Sequence, residues 1–165
     1  MTAAGTEWEQ RIAALWAALD EMPPQDFLAR MRALAAEVPV GNAVALFELA
    51  SAHDSTSHEA EAAPLYRQAL AAGLTGIRRR RATIQLASTL RNLGQVEESV
   101  ALLTEERAAG SDELDDAVSA FLALALVEVG REREAVGLAL GALSRHLPRY
   151  NRSLARYAQA LTRKA

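Results

Sequence analysis

Apolar residues recur at three- and four-residue spacing along nearly the whole chain, broken by polar runs and by glycine or proline. Trp8, Ile12, Leu15, Trp16 and Leu19 lie on one face of a helix over about 6–21. Pro23-Pro24 stops it, and proline is tolerated in the first turn of the next helix. Phe27, Leu28, Met31, Leu34 and Val38 mark that second helix, which ends near Pro39 and Gly41. Val44, Leu46, Phe47, Leu49 and Ala50 mark a third, which the polar stretch SAHDSTSH is expected to break. A fourth is predicted over about 59–72, with Pro64 within its first turn or so. A fifth covers about 77–92 and is closed by Gly94; a sixth covers about 96–109. A seventh spans about 113–129, with Asp112 as N-cap and Asp115 three residues on. An eighth covers about 132–146. Pro148 is expected to open a ninth, whose stripe is Leu147, Tyr150, Leu154, Tyr157 and Leu161. No strand is predicted, so the fold class is all-α, with short loops.

The pattern also repeats at a longer period. Three stretches align: LASAHDSTSHEAEAAPLYRQAL, LASTLRNLGQVEESVALLTEE and LALALVEVGREREAVGLALGAL. Each opens on Leu-Ala (Leu49-Ala50, Leu86-Ala87, Leu122-Ala123), followed three residues later by His53, Leu90 or Leu126. The turn position holds Ser57, Gly94 and Gly130. Next come Ala62, Ser99 and Ala135, then Tyr66, Leu103 and Ala139, then Ala69, Glu106 and Ala142. The offsets are 37 and 36 residues.

These residues resemble the tetratricopeptide repeat (TPR) pattern: a Leu-Gly or Leu-Ala pair, an aromatic or Leu, a turn Gly, then Ala, an aromatic and Ala. The resemblance covers about 43–147. It implies a right-handed α-solenoid of about three helix hairpins, preceded by an N-terminal hairpin (1–40) and closed by a capping helix (148–165), as one domain in a small bacterial protein. In the cap, Leu147, Tyr150, Leu154 and Leu161 are expected to face inward. Glu106, where Ala is usual, suggests a second repeat whose second helix is short or loosely packed. Small residues at fixed places let paired helices approach to about 8–10 Å. Each hairpin then leaves one apolar face for its neighbour to cover.

Composition narrows the function classes. Half the residues are hydrophobic, about a quarter charged and few aromatic, and cysteine is absent, which excludes disulfides, thiolate metal sites and cysteine nucleophiles. No apolar run reaches the ~18 residues of a membrane span, and the first residues, MTAAGTEWEQ, lack the positive start and apolar core of a signal peptide, so a cytoplasmic location is expected. No phosphate loop, dinucleotide fingerprint or nucleophile elbow occurs. His53, Asp54, His58 and Glu59 form the one histidine–carboxylate group, but a turn separates the histidines; a polar turn is expected there and no metal or other cofactor. His146 is expected against helix-terminal carbonyls. Gly137 and Gly141, four apart, read as a place of close helix packing. The chain is therefore expected not to be an enzyme.

Charge is segregated. Residues 1–61 carry −7, 62–96 carry +6, 97–116 carry −7, 117–134 carry −1 and 135–165 carry +6, for a net −3. The basic C-terminal block holds Arg145, Arg149, Arg152, Arg156, Arg163 and Lys164 and no acid. Such blocks either neutralise one another within the fold or orient a partner or a second copy of the chain. Arg78, Arg79, Arg80 and Arg81 stand in the first turn of the fifth helix, against its dipole. They either pair with Glu59, Glu61 or the 97–116 block, or form an anion site for an acidic partner. The isoelectric point near 5.7 and the lack of interleaved aromatics argue against nucleic acid.

The resemblance implies that the first helix of each repeat lines a peptide-binding groove. The expected lining is Phe47 and Ser51 with Val44, Glu48 and Asp54 on the third helix. On the fifth it is Arg81, Gln85 or Ile84, Ser88, Arg91 and Asn92, and on the seventh Ala117, Ala120, Leu124 and Val127. Arg81, Ser88 and Asn92 offer part of a carboxylate clamp, although the seventh helix supplies no base. The function implied is a non-catalytic protein- or peptide-binding scaffold. The alternative is a structural homo-oligomer assembled through charge blocks or capping faces, and no membrane partner is expected.

Overall fold

The computed structural model describes residues 3–163, with side chains from Gly5 on; Lys164 of the basic block and the chain's extreme ends lie outside the described residues. Among the described residues there are nine α-helices and no strand: α1 (Ala3–Ala17), α2 (Pro24–Ala35), α3 (Ala43–Ser55), α4 (Glu59–Ala71), α5 (Gly76–Asn92), α6 (Val96–Ala109), α7 (Asp115–Glu128), α8 (Glu132–Ser144) and α9 (Asn151–Thr162). The chain divides into two compact units, one up to Ala82 and one from Thr83, so α5 contributes to both.

The first unit is built on the apolar faces of α1, α2 and α3. Trp8, Ile12 and Leu15 of α1 bury against Phe27, Leu28, Met31 and Leu34 of α2 and Ala45 and Ala52 of α3. Trp8 Nε1 donates to the Leu34 carbonyl at 2.8 Å, so the buried indole keeps a partner. Trp16 tilts onto Phe27, with centroids 5.1 Å apart. The first helix stops at Ala17 rather than about 21, and Leu19–Glu21 continue as a 3-10 turn. At the start of α3, Asn42 Oδ1 accepts from the amides of Val44 and Ala45, each at 3.0 Å, a strong N-cap. That capped and well-packed helix runs through the polar stretch to Ser55 instead of breaking there, because Ser51, Ala52 and His53 are buried. Pro64 is the sixth residue of α4, beyond the expected first turn.

The second unit packs Ile84 and Ala87 of α5, Leu103 of α6, Val118, Leu122, Ala123 and Leu126 of α7, and Ala135 and Leu138 of α8. The small repeat positions do what the spacing implies: Ala50 and Ala62, Ala87 and Ser99, Ala123 and Ala135 are all buried. Glu106 is also buried, and α6 is a full 14 residues, so the expectation of a short or loose helix fails. Ala139, standing where Tyr66 and Leu103 are buried, is exposed.

The repeat is most legible in its turns. Ser57, Gly94 and Gly130 all take left-handed φ, at 61°, 77° and 72°. In each turn the next residue's amide reaches back to the carbonyl five residues earlier: His58 to His53 at 2.9 Å, Gln95 to Leu90 at 2.8 Å and Arg131 to Leu126 at 2.9 Å. This is a Schellman closure, in which a left-handed residue satisfies the last helical carbonyls. Ser57 adopts the glycine conformation without being glycine.

Two helix starts differ from expectation. The exchange between Asp112 and Asp115 forms, with Leu114 N donating to Asp112 Oδ1 at 2.8 Å and Asp112 N donating to Asp115 Oδ1 at 3.2 Å. It shapes the turn before α7, which itself begins at Asp115. The ninth helix starts at Asn151, three residues after Pro148, following Tyr150 at φ 65°. Tyr150 is 78% exposed and therefore does not face inward, and Tyr157 is also exposed. The buried residue of α9 is Ala158, seated on Gly137 of α8, where an added Cβ would lie 2.9 Å from the Ala158 carbonyl oxygen. Backbone approach between small residues sets the face of α9, not the aromatic stripe; Leu147, Leu154 and Leu161 are only half-buried.

Candidate functional site

Within the first unit the arginine quartet does not act as one patch. Arg78 is held by the acids of α1 and α3. Its guanidinium donates to Glu9 at 2.8 and 3.2 Å, and its Nε lies 3.5 Å from Glu48 Oε1. These are not the partners Glu59, Glu61 or the 97–116 block that the sequence suggests. The reason is tertiary: α1 brings Glu9 to α5. Glu48 is buried and also accepts from Trp16 Nε1 at 2.8 Å. The hydrogen bonds from Arg78 hold the Glu9 carboxyl below its usual range and push the Arg78 guanidinium up. Burial raises the Glu48 carboxyl, outweighing the opposing Trp16 hydrogen bond and the Arg78 charge. Arg79 is exposed and Arg80 buried, each with a partner in the fold.

Arg81 is different. It is exposed, it makes no ion pair among the described residues, and its guanidinium carbon lies 5.4 Å from the Phe47 ring centroid, a cation–π geometry. Phe47 itself is fully buried and Ser51 nearly so, which corrects their assignment to an open groove. Phe47 sits 6.3 Å from the Tyr66 ring, and Tyr66 Oη lies 3.4 Å from both Ser51 Oγ and Asp54 Oδ2. Burial first, then the Asp54 charge, drives the Tyr66 phenol far up, so it stays protonated. The α3 positions of the expected lining thus form a packed support beneath Arg81.

In the second unit, α5 and α7 present a shared surface. Arg91 of α5 donates to Glu128 of α7 at 2.6 Å and to the Asn92 side-chain oxygen at 3.0 Å. Gln85 and Ser88 are half-buried on the same helix, and Asn92 is exposed, whereas Ile84 belongs to the core. On α7, Ala120 is exposed and Leu124 and Val127 are each about half exposed, at 49% and 50%. The repeated three- and four-residue spacing of Ala117, Ala120, Leu124 and Val127 makes them one stripe. Opposite this stripe, Val118, Leu122 and Leu126 fill the core. The result is an apolar strip beside an Arg–Glu–Asn edge.

The histidines are structural in their geometry. The His53 and His58 rings meet edge to face, with centroids 5.8 Å apart, and His53 Nε2 lies 3.4 Å from an Arg32 nitrogen. No group of three His, Cys, Asp or Glu side chains arranged to hold a metal ion occurs among the described residues. His146 meets Asp116 Oδ2 at 2.9 Å, not the helix-terminal carbonyls, because the turn after α8 brings it beside α7.

A family model described as Tetratrico peptide repeat matches residues 43–161. The chain is a tetratricopeptide repeat protein. Neither the curated proteins nor the solved structures gave a match. In this TPR protein α3, α5 and α7 open the three repeats, each followed by its partner helix across a left-handed turn. The match runs on through most of α9, which follows α7 at the same interval of 36 residues, from Asp115 to Asn151. Family membership generally implies a scaffold that mediates protein–protein interaction without catalysis. Among the described residues no helix of this TPR protein is long and apolar enough to cross a membrane.

Proposed function

We propose that this protein is a non-catalytic scaffold that binds a segment of another protein on the face that α5 and α7 form in its second unit. The single observation that supports it most is the α7 strip, with Leu124 and Val127 half exposed beside the Arg91–Glu128 pair. Core-facing residues of that helix are buried, so Leu124 and Val127 stand on its solvent side, next to Ala120, as a short apolar strip. An amphipathic helix or extended segment would lay its apolar side chains on Leu124 and Val127 and its polar side against Asn92, Ser88 and Arg91.

The test compares capture of partners from native extract by the wild-type chain, Leu124→Asp and Val136→Asp. Val136 is a half-exposed residue of α8, a second helix, and serves as the control for surface charge. Leu124→Asp should lose captured proteins that Val136→Asp retains, with equal thermal stability. Identical capture by all three chains would refute the reading.

A further inference from the structure

The second unit contains a pocket on another surface, of about 490 Å³, floored by small and apolar residues including Gly137, Leu138 and Ala158. Its polar lining comes from three helices and one turn: Arg107 of α6, Ser119 of α7, Arg145 after α8, and Arg156, Gln159 and Thr162 of α9. Among the described residues no carboxylate side chain lines it. Arg145 is held at 3.1 Å by Asp116, which also takes His146. Arg107 and Arg156 have no ion pair among the described residues; Arg156 is steadied only by the ring of Tyr157, 5.4 Å away. The primary structure reinforces this, since residues 135–165 hold six bases and no acid. Like charges converging on a concavity repel unless an anion joins them, and a guanidinium fork matches the paired oxygens of carboxylate or phosphate. The volume falls in the range of ligand sites, about 300–1,000 Å³.

We infer that this pocket binds an oxyanion, the carboxylate or phosphate of a side chain in an acidic segment of a partner protein, clamped between Arg107 and Arg156. A peptide is favoured over a free ion because the floor offers apolar surface around the charged rim, which suits a side-chain stem. The site goes beyond the α5–α7 face and does not depend on it.

The test is calorimetric titration of the full chain with a Glu-rich peptide, the same peptide carrying phosphoserine, and inorganic phosphate alone. Binding of either peptide should fall by about tenfold or more in Arg107→Ala and in Arg156→Glu, the loss of about one charged hydrogen bond. It should be unchanged in Arg133→Ala, an exposed arginine of α8 outside the lining. Melting curves matching the wild type show that the variants are folded. The two peptides distinguish carboxylate from phosphate as the source of the charge. Absence of binding by both peptides, equal binding by the arginine variants, or inorganic phosphate binding as tightly as the peptides would overturn the inference.

Discussion

Gly137 and Gly141 lie one turn apart on α8, yet the structure assigns opposite signs to the same substitution. At Gly141 an added Cβ would meet only the Ala158 Cβ, at 4.0 Å, an ordinary contact. Replacing a helical glycine by alanine there should stabilise the protein by about 0.8–1 kcal/mol, because alanine restricts the unfolded chain and favours the helix. At Gly137 the same methyl would lie 2.6 Å from Thr162 Cγ2, 2.9 Å from the Ala158 carbonyl oxygen and 3.1 Å from Leu161 Cβ. Thr162 could rotate, but the carbonyl belongs to the α9 backbone and moves only with the helix. Overpacking of this kind costs about 1–3 kcal/mol, and the backbone contact places Gly137→Ala toward the upper end. After the propensity gain, a net loss of about 1–2 kcal/mol remains. Thermal unfolding followed by circular dichroism measures both variants. Gly141→Ala should raise the melting temperature by about 2–4 °C and Gly137→Ala should lower it by about 2–8 °C. If Gly137→Ala is stabilised as much as Gly141→Ala, α9 does not pack against α8 as described, and the account of the ninth helix fails with it.

Ser57→Gly should stabilise the chain by up to about 1 kcal/mol, since a left-handed residue carrying a Cβ is strained by about 1–2 kcal/mol and the greater freedom of unfolded glycine offsets part of the gain; a lower urea midpoint would show that Ser57 is not strained. His53 supplies a pH dependence. Burial, then the charge of Arg32, with a smaller push from His58 and an opposing pull from Glu61, lowers its pKa below 6.5. The folded state then binds fewer protons than the unfolded one between that lowered pKa and 6.5, so stability is full above the window and is lost as pH falls through it, by at most about 1.4 kcal/mol per pH unit. The difference in unfolding free energy between wild type and His53→Gln, measured from pH 7.5 to 5, isolates this from the opposite slope of Glu48; a difference that does not vary with pH would rule it out.

The local grammar was readable residue by residue. Helix spans came from the three- and four-residue periodicity, and the turns from Gly94, Gly130 and their aligned Ser57, because backbone conformation and burial at those places depend on each residue and its near neighbours. The small positions Ala50, Ala62, Ala87, Ser99, Ala123 and Ala135 were legible for the same reason: a repeat imposes one packing geometry several times over. What could not be read was which distant groups meet. Nothing in the arginine quartet says that Arg78 will bind Glu9, 69 positions away, while Arg81 lies over Phe47. The groove positions that the resemblance implied for Phe47 and Ser51, and the inward position expected of Tyr150, were overruled by packing: the first two are buried and the third is exposed.

The sequence alone determined that this protein is a string of helix pairs with a 36–37-residue period, since the hydrophobic effect and backbone sterics act through spacings written along the chain. Only the tertiary structure decided which charges are paired, which arginines stay without a counter-ion among the described residues, and which apolar residues remain in contact with water. Those properties depend on distances between helices, and a pairwise distance of a few ångströms between residues far apart in the chain is a product of packing, not of local pattern.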